Sequence, residues 1–308
     1  MKKILYLLLV FILSSQFVSC KYSFVQNETT YSQFTYQDFD RSYLVHLPEN
    51  YDAEKQYPII FVLHGITSRA KAIAGFSGFN AQSDQKDFIV CYPQGYKRSW
   101  GIQIEVGAAP RNEIDDIGFI NQLIDTLALN YSVDTTKIFA CGISNGGFMS
   151  ALLASKLPHQ LSGIAMVCSN LFNPIDTYAT SGSTIPLLLI GSTDDPLLQY
   201  EGGKVKGKNK YSTKGFLPTA EYWVAKNKCL YPKDSLIIEN DPNDKTTVIK
   251  YFSASETAKN KVVLYKVIGG GHAWPGRKKD FKSIFLGKIS QEINAAEVIS
   301  DFFLSGVK

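Results

Sequence analysis

The sequence predicts an α/β fold, a single domain with a mostly parallel central sheet and helices on both faces. Two observations carry this. The first is a series of short, continuously apolar runs: Pro58 to Leu63, Phe88 to Cys91, Lys137 to Cys141, Gly163 to Val167, Pro186 to Ile190 and Val262 to Val267. Continuous hydrophobicity means burial on both faces, as in a central parallel strand flanked by helices. The second is the helix-like spacing between the runs. In Asp116 to Asn130, apolar residues recur at Ile117, Ile120, Leu123, Ile124 and Leu127, with acidic residues at the start where the helix dipole favours them. Gly146 to Leu157 and Ile293 to Leu304 read the same way. Strand and helix alternating over most of the chain is the pattern of a doubly wound domain.

Composition agrees. The 308 residues are 45% hydrophobic and 19% charged, enough apolar material for a sizeable core. A formal charge of +4 is close to neutral and makes no case for nucleic acid or an acidic partner.

Before the first run, the chain divides into three. Residues 1–20 read as an export leader, with Lys2 and Lys3 ahead of the apolar run Ile4 to Leu13, which is short for a membrane span. Phe17-Val18-Ser19-Cys20 is similar to a bacterial lipobox, in which the cysteine is lipidated and becomes the first mature residue. Cleavage near Ser19 by the ordinary signal peptidase is the alternative. Either way the protein is exported: an extracellular protein, or a bacterial outer-membrane or periplasmic lipoprotein touching the membrane through its lipid alone. Residues 21–33 are polar and aperiodic and read as a tether. Residues 34–308 form the domain. They open on a hairpin from Phe34 to Pro48 that turns near Asp38-Phe39-Asp40. Lys204 to Lys210 reads as an exposed loop. Cys91, Cys141, Cys168 and Cys229 permit disulfides in an exported protein, but the first three lie in apolar runs and read as core residues.

The chemistry is concentrated in Gly142-Ile143-Ser144-Asn145-Gly146-Gly147, between a predicted strand and a predicted helix. A serine on so sharp a turn projects clear of the sheet, and small residues two before and two after it avoid clashes. A neutral serine needs a base. Of His46, His64, His159 and His272, two precede the serine and His159 follows it too closely to leave a strand end for an acid. His272 remains, in the glycine-rich loop after the last strong strand. The acid follows a strand between the two, at Asp194 or Asp195. The N–H of Asn145 and that of Ile66, in the loop opened by Leu63-His64-Gly65, are the expected oxyanion-hole donors, with His64 shaping that loop. Trp100, Trp274 and nearby Tyr92 either form a platform for a sugar or aromatic ring or pack in the core. No metal or phosphate motif occurs, and no cofactor is expected.

With these residues in place, the chain from about Arg41 onward resembles the extracellular esterases that include polyhydroxybutyrate depolymerases, feruloyl esterases and acetylxylan esterases, within the α/β-hydrolase superfamily. The marks are Arg41-Ser42-Tyr43, Leu63-His64-Gly65, Tyr92-Pro93-Gln94-Gly95, Trp100, Asp115-Asp116-Ile117-Gly118-Phe119, the elbow, Asp195-Pro196 with Tyr200, and His272-Ala273-Trp274-Pro275-Gly276. The resemblance selects Asp195, which precedes a proline and stands five before a tyrosine. Gly191-Ser192-Thr193 departs from the family's usual His-Gly-Thr. It implies ester hydrolysis through an acyl-enzyme, on feruloyl or acetyl esters of polysaccharide. A polyester depolymerase or serine peptidase is the alternative. A non-catalytic binding protein on this scaffold is a third reading, which the complete serine, aspartate and histidine set disfavours.

Overall fold

The six apolar runs become six adjacent parallel strands. In the computed structural model, residues 29–102, 114–173, 184–205, 208–232, 235–241, 243–256, 260–278 and 283–305 are described. The leader, Cys20 and the tether up to residue 28 lie outside them.

The chain enters through a hairpin, β1 (Thr30–Tyr36) and β2 (Phe39–His46), antiparallel with Thr30 opposite Val45. Its turn is Gln37-Asp38, with φ of 48° and 66°. Two left-handed residues match the twist of the flanking strands, so the turn sits slightly earlier than the sequence suggests. Strand β1 begins at Thr30, so the tether reading of 21–33 runs too far. Backbone pairing with β2 holds this edge strand, with Tyr31, Gln33 and Thr35 exposed and Ser32 buried between them.

β3 (Tyr57–Leu63), α1 (Ala70–Phe76), α2 (Phe79–Lys86) and β4 (Ile89–Pro93) follow. α3 (Asp116–Asn130) has the predicted bounds, its first turn capped by the Asp115 carboxylate accepting from the Gly118 N–H. β5 (Val133–Ile143), α4 (Asn145–Lys156), β6 (Gly163–Val167) and β7 (Leu187–Ser192) complete the centre. β8 (Gly203–Val205) and β9 (Lys208–Thr213) pair as a separate antiparallel ribbon, anchored where Thr213 bridges Phe172. The lysine-rich stretch is therefore hairpin and not loop, because backbone pairing needs no apolar face. α5 (Phe216–Lys226), β10 (Ser235–Ile238), β11 (Thr247–Ala254), β12 (Lys261–Ile268), α6 (Ser283–Leu286) and α7 (Ala295–Leu304) close the chain. No described helix is long and apolar enough to cross a membrane.

The ten-stranded sheet runs β1-β2-β4-β3-β5-β6-β7-β12-β11-β10. Strands β4 through β12 in that order are parallel, and antiparallel strands extend both edges. Alternate residues feed two cores. Ile59, Phe61, Ile138, Met166 and Leu189 face α3, α4 and α5, while Ile60, Val62, Phe139, Val167 and Ile190 face α1, α2 and α7. Cys91, Cys141, Cys168 and Cys229 are all buried and free, so none is spent on a disulfide.

α7 docks through Phe303, which is 4% exposed and stacks on Phe139 of β5 at 4.7 Å between centroids. Phe303→Ala is expected to lower unfolding free energy by about 3–5 kcal/mol through lost transfer energy and a cavity. Denaturant titration measures it. A loss below about 1 kcal/mol would mean that α7 is held by other contacts.

Candidate active site

The parallel strands end at one edge of the sheet, where α/β folds collect their functional loops. Ser144 sits there, between β5 and α4, with φ 55° and ψ −120°. A non-glycine residue in this region is strained and persists because its surroundings over-determine it. The source of the constraint is close packing. A Cβ on Gly142 would lie 2.5 Å from the Gly146 carbonyl carbon, and one on Gly146 would lie 2.1 Å from the Leu63 carbonyl oxygen. The turn is pressed against the end of β3, and the Ser144 N–H donates to the Val167 carbonyl of β6 at 2.8 Å.

The loops carrying Asp195 and His272 leave β7 and β12, which are neighbours in the sheet. Backbone bonds stitch them together: Thr193 N–H to the Val267 carbonyl and Asp194 N–H to the Gly270 carbonyl, both at 3.0 Å. His272 Nδ1 then lies 2.6 Å from Asp195 Oδ2, and both residues are buried. The other oxygen of Asp195 accepts from the N–H groups of Leu197 and Leu198 at 2.8 and 2.9 Å, which orients the carboxylate. Asp194 is exposed, and its carboxylate accepts from the Thr193 hydroxyl at 2.9 Å. His272 is thus paired with Asp195 and not with its neighbour.

β6 separates the elbow from the acid loop, and Cys168 stands at its end. Its thiol donates to the Ala273 carbonyl at 3.4 Å, against the histidine loop. Burial pushes this thiol well above its ordinary pKa, so it stays protonated. Cys168, Asp195 and His272 bring their ligand atoms within 4.8 Å of one another. A protonated thiol already donating to a carbonyl suits packing better than metal ligation. Sequence reading took Cys168 as plain core, and its contact with the histidine loop had no local signal.

His64 is fully buried. Its Nε2 accepts from the Gly95 N–H at 3.0 Å, which puts the proton on Nδ1, 2.8 Å from the Gly65 carbonyl. Burial lowers its pKa to about 4, so it is neutral at ordinary pH and shapes the loop carrying Ile66. The N–H groups beside Ile66 are committed, Thr67 to the Arg98 carbonyl and Ser68 to that of Gly65. Those of Ile66 and Asn145 enter no hydrogen bond among the described residues. The remaining histidines are elsewhere: His46 pairs with Asp84 at 2.9 Å, and His159 is exposed.

The aromatic platform is corrected. Trp100 and Trp274 are 0% and 1% exposed and Tyr92 is 0% exposed, so none presents a face to substrate. The Trp274 indole donates to the Ser77 carbonyl at 3.0 Å and packs on Phe79. Tyr92 donates to Asn80 at 2.6 Å. The Trp100 indole donates to the His64 carbonyl at 2.9 Å. Indole and phenol groups that find partners inside are as content in a core as at a binding face, which is why sequence left both readings open.

Comparison with known proteins follows the same lines. The Esterase family model matches residues 37–249. The protein NocK of Nocardia uniformis subsp. tsuyamanensis, named as an esterase, is 27% identical over 257 residues, covering 81% of this chain and 74% of NocK. Feruloyl esterase D of Neurospora crassa is 26% identical over 162 residues, covering 47% of this chain and 53% of that protein. Poly(3-hydroxyalkanoate) depolymerase C of Paucimonas lemoignei is 29% identical over 129 residues, covering 40% and 30%. The chain thus spans between about a third and three quarters of the length of these relatives. Among solved structures, acetyl xylan esterase from Aspergillus awamori shares the fold with a TM-score of 0.54 at 15% identity, over 79% of this chain and 94% of that one. The ferulic acid esterase of Anaeromyces mucronatus, solved with ferulic acid, has a TM-score of 0.50 at 16% identity, over 80% and 85%. With the family model matched over well over half its length, and with this sheet beneath the match, the chain belongs to the Esterase family and adopts the α/β-hydrolase fold.

Proposed function

We propose that this protein hydrolyses carboxylic esters through an acyl-enzyme on Ser144, with His272 as general base and acid and Asp195 holding the imidazole. One observation carries the reading: the 2.6 Å contact of His272 Nδ1 with Asp195 Oδ2, beside an elbow that holds Ser144 at φ 55°. The imidazole Nε2 takes the Ser144 proton as Oγ attacks the acyl carbon. The carbonyl π electrons move to oxygen, and the N–H groups of Ile66 and Asn145 stabilise that charge. Collapse expels the alcohol, which receives its proton from the imidazolium. Water then repeats the sequence on the acyl-enzyme and releases the acid.

The substrate class is the ester-bearing polysaccharide of plant material, with feruloyl or acetyl as the acyl group. Relatives named feruloyl esterase and acetylxylan esterase support it. The similar depolymerase makes a polyester the alternative. Purified protein assayed on feruloylated xylan, acetylated xylan and a short-chain polyester separates them. Release of acid from either xylan with an inert polyester supports the first, and the reverse overturns it.

Ser144→Ala is expected to cut turnover of a soluble aryl ester by at least about a thousandfold while the protein stays folded. Retention of a tenth of the parent rate would remove Ser144 from the mechanism. Asp195→Asn places a donor where the imidazole N–H needs an acceptor, a change that costs a serine protease about ten thousandfold. Asp194→Asn changes only an exposed loop contact, and the expected loss is about tenfold or less. Turnover and melting curves of the two variants decide, and a worse Asp194 variant would reassign the acid.

The export leader implies secretion, and Cys20 is the proposed lipidation site. Labelling with a fatty-acid probe in the producing bacterium is expected to mark the parent and not Cys20→Ser. Free secretion of both, unlabelled, would make the leader an ordinary one.

A further inference from the structure

The two proposed oxyanion donors belong to different loops. Ile66 follows β3, and Asn145 opens α4 after β5. Pairing of β3 with β5 ends at Leu63 and Gly142, so the ladder does not set the distance between the two N–H groups. An oxyanion hole works only if both donors lie about 2.7–3.1 Å from one point. Something beyond the sheet has to hold them.

Trp100 touches both sides. Its backbone N–H donates to Asn145 Oδ1 at 2.7 Å, and its carbonyl accepts from Asn145 Nδ2 at 3.3 Å. Its indole N–H donates to the His64 carbonyl at 2.9 Å, two residues before Ile66, and the indole ring lies 5.1 Å from the imidazole between centroids. All three residues are 2% exposed or less. Trp100 is itself anchored. The next N–H, that of Gly101, donates to Asp116 Oδ2 at 2.8 Å, and Asp116 Oδ1 accepts from Arg41 at 2.5 Å. Arg41 and Asp116 are each 2% exposed, and the guanidinium lies 3.7 Å above the Phe119 ring. A buried ion pair recovers its desolvation cost poorly, so its presence here calls for a role other than stability.

From this arrangement we infer that Trp100, backed by Asp116 and Arg41, is a positioning residue that fixes the spacing of the Ile66 and Asn145 N–H groups. The inference rests on the oxyanion role proposed above for those two groups. Trp100 does not touch substrate and takes no proton. It holds the Asn145 amide with its backbone and the His64 peptide with its indole. The brace therefore acts on the state in which the carbonyl oxygen carries charge, and so on kcat more than on KM.

Two variants keep both N–H donors and all of Ser144, Asp195 and His272. Trp100→Phe removes the indole N–H and keeps the backbone clamp. Asn145→Ala removes the clamp and keeps the indole. Each is assayed on an aryl ester and on the matching thionoester, whose sulfur accepts hydrogen bonds weakly. A well-set oxyanion hole favours the ester strongly, and displaced donors lose that preference. In each variant kcat is expected to fall about 10- to 100-fold with KM within about threefold, and the ester-to-thionoester ratio to fall by at least about fivefold. The double variant is expected to lose less than the product of the single losses, because one brace is broken twice. An unchanged ester-to-thionoester ratio in folded variants would overturn the brace, whatever their rates. If one variant does not fold, the other alone decides, and the conservative pair Arg41→Met with Asp116→Leu supplies a third reading from the anchor. A parent enzyme with no preference for the ester would overturn the oxyanion assignment itself, whereas a preference kept by parent and variants alike overturns only the brace.

Discussion

Everything at the catalytic edge depends on how closely the turn after β5 approaches the end of β3. With no room for a Cβ at Gly142 or Gly146, the β5–α4 junction lies directly on the Leu63 and His64 carbonyls. That approach forces Ser144 into its strained conformation. It also puts the start of α4 beside the loop carrying Ile66. Strain in the turn is held by packing on both faces of β5, whose Ile138 to Cys141 segment is almost wholly buried.

A second constraint is the order of strands. β7 and β12 are distant in sequence and adjacent in space, with Val267 in register with Ser192. The loops that follow them share backbone hydrogen bonds, so Asp195 and His272, 77 residues apart, meet at 2.6 Å. The acid is then oriented by two backbone N–H groups of its own loop, which leaves its second oxygen for the imidazole. Rigid strands supply the coordinates, and short loops supply the chemistry.

Buried polar groups gather around the loop that carries Ile66. His64, Trp100, Asn145, Asp116 and Arg41, with the half-buried Gln94, join in one network with partners at nearly every step. Burial raises the pKa of Asp116, and the Arg41 guanidinium opposes that shift. Such a network is costly when half satisfied and rigid when complete.

The sequence by itself determined the parts that are local. Continuous apolar runs named all six parallel strands, because a strand buried on both faces has no alternative composition. Helical spacing placed α3 to the residue, and the elbow motif located Ser144 through its flanking strand and helix. Elimination among four histidines pointed to His272 because an α/β-hydrolase orders its nucleophile, acid and base along the chain, and the structure brings His272 against Asp195. What tertiary structure decided is non-local. The antiparallel strands β8, β9, β10 and β11 and the first half of β1 leave little trace in the side-chain pattern, because their pairing is made by backbone. Residue pattern alone left the partner of His272 open between neighbouring aspartates, and only the resemblance favoured Asp195. In space the direction in which the loop turns separates them, with Asp195 against the imidazole and Asp194 against the Thr193 hydroxyl. Trp100 and Trp274 looked equally suited to a binding face or a core, and their burial follows from hydrogen-bond partners 36 and 197 residues away that no window along the sequence contains.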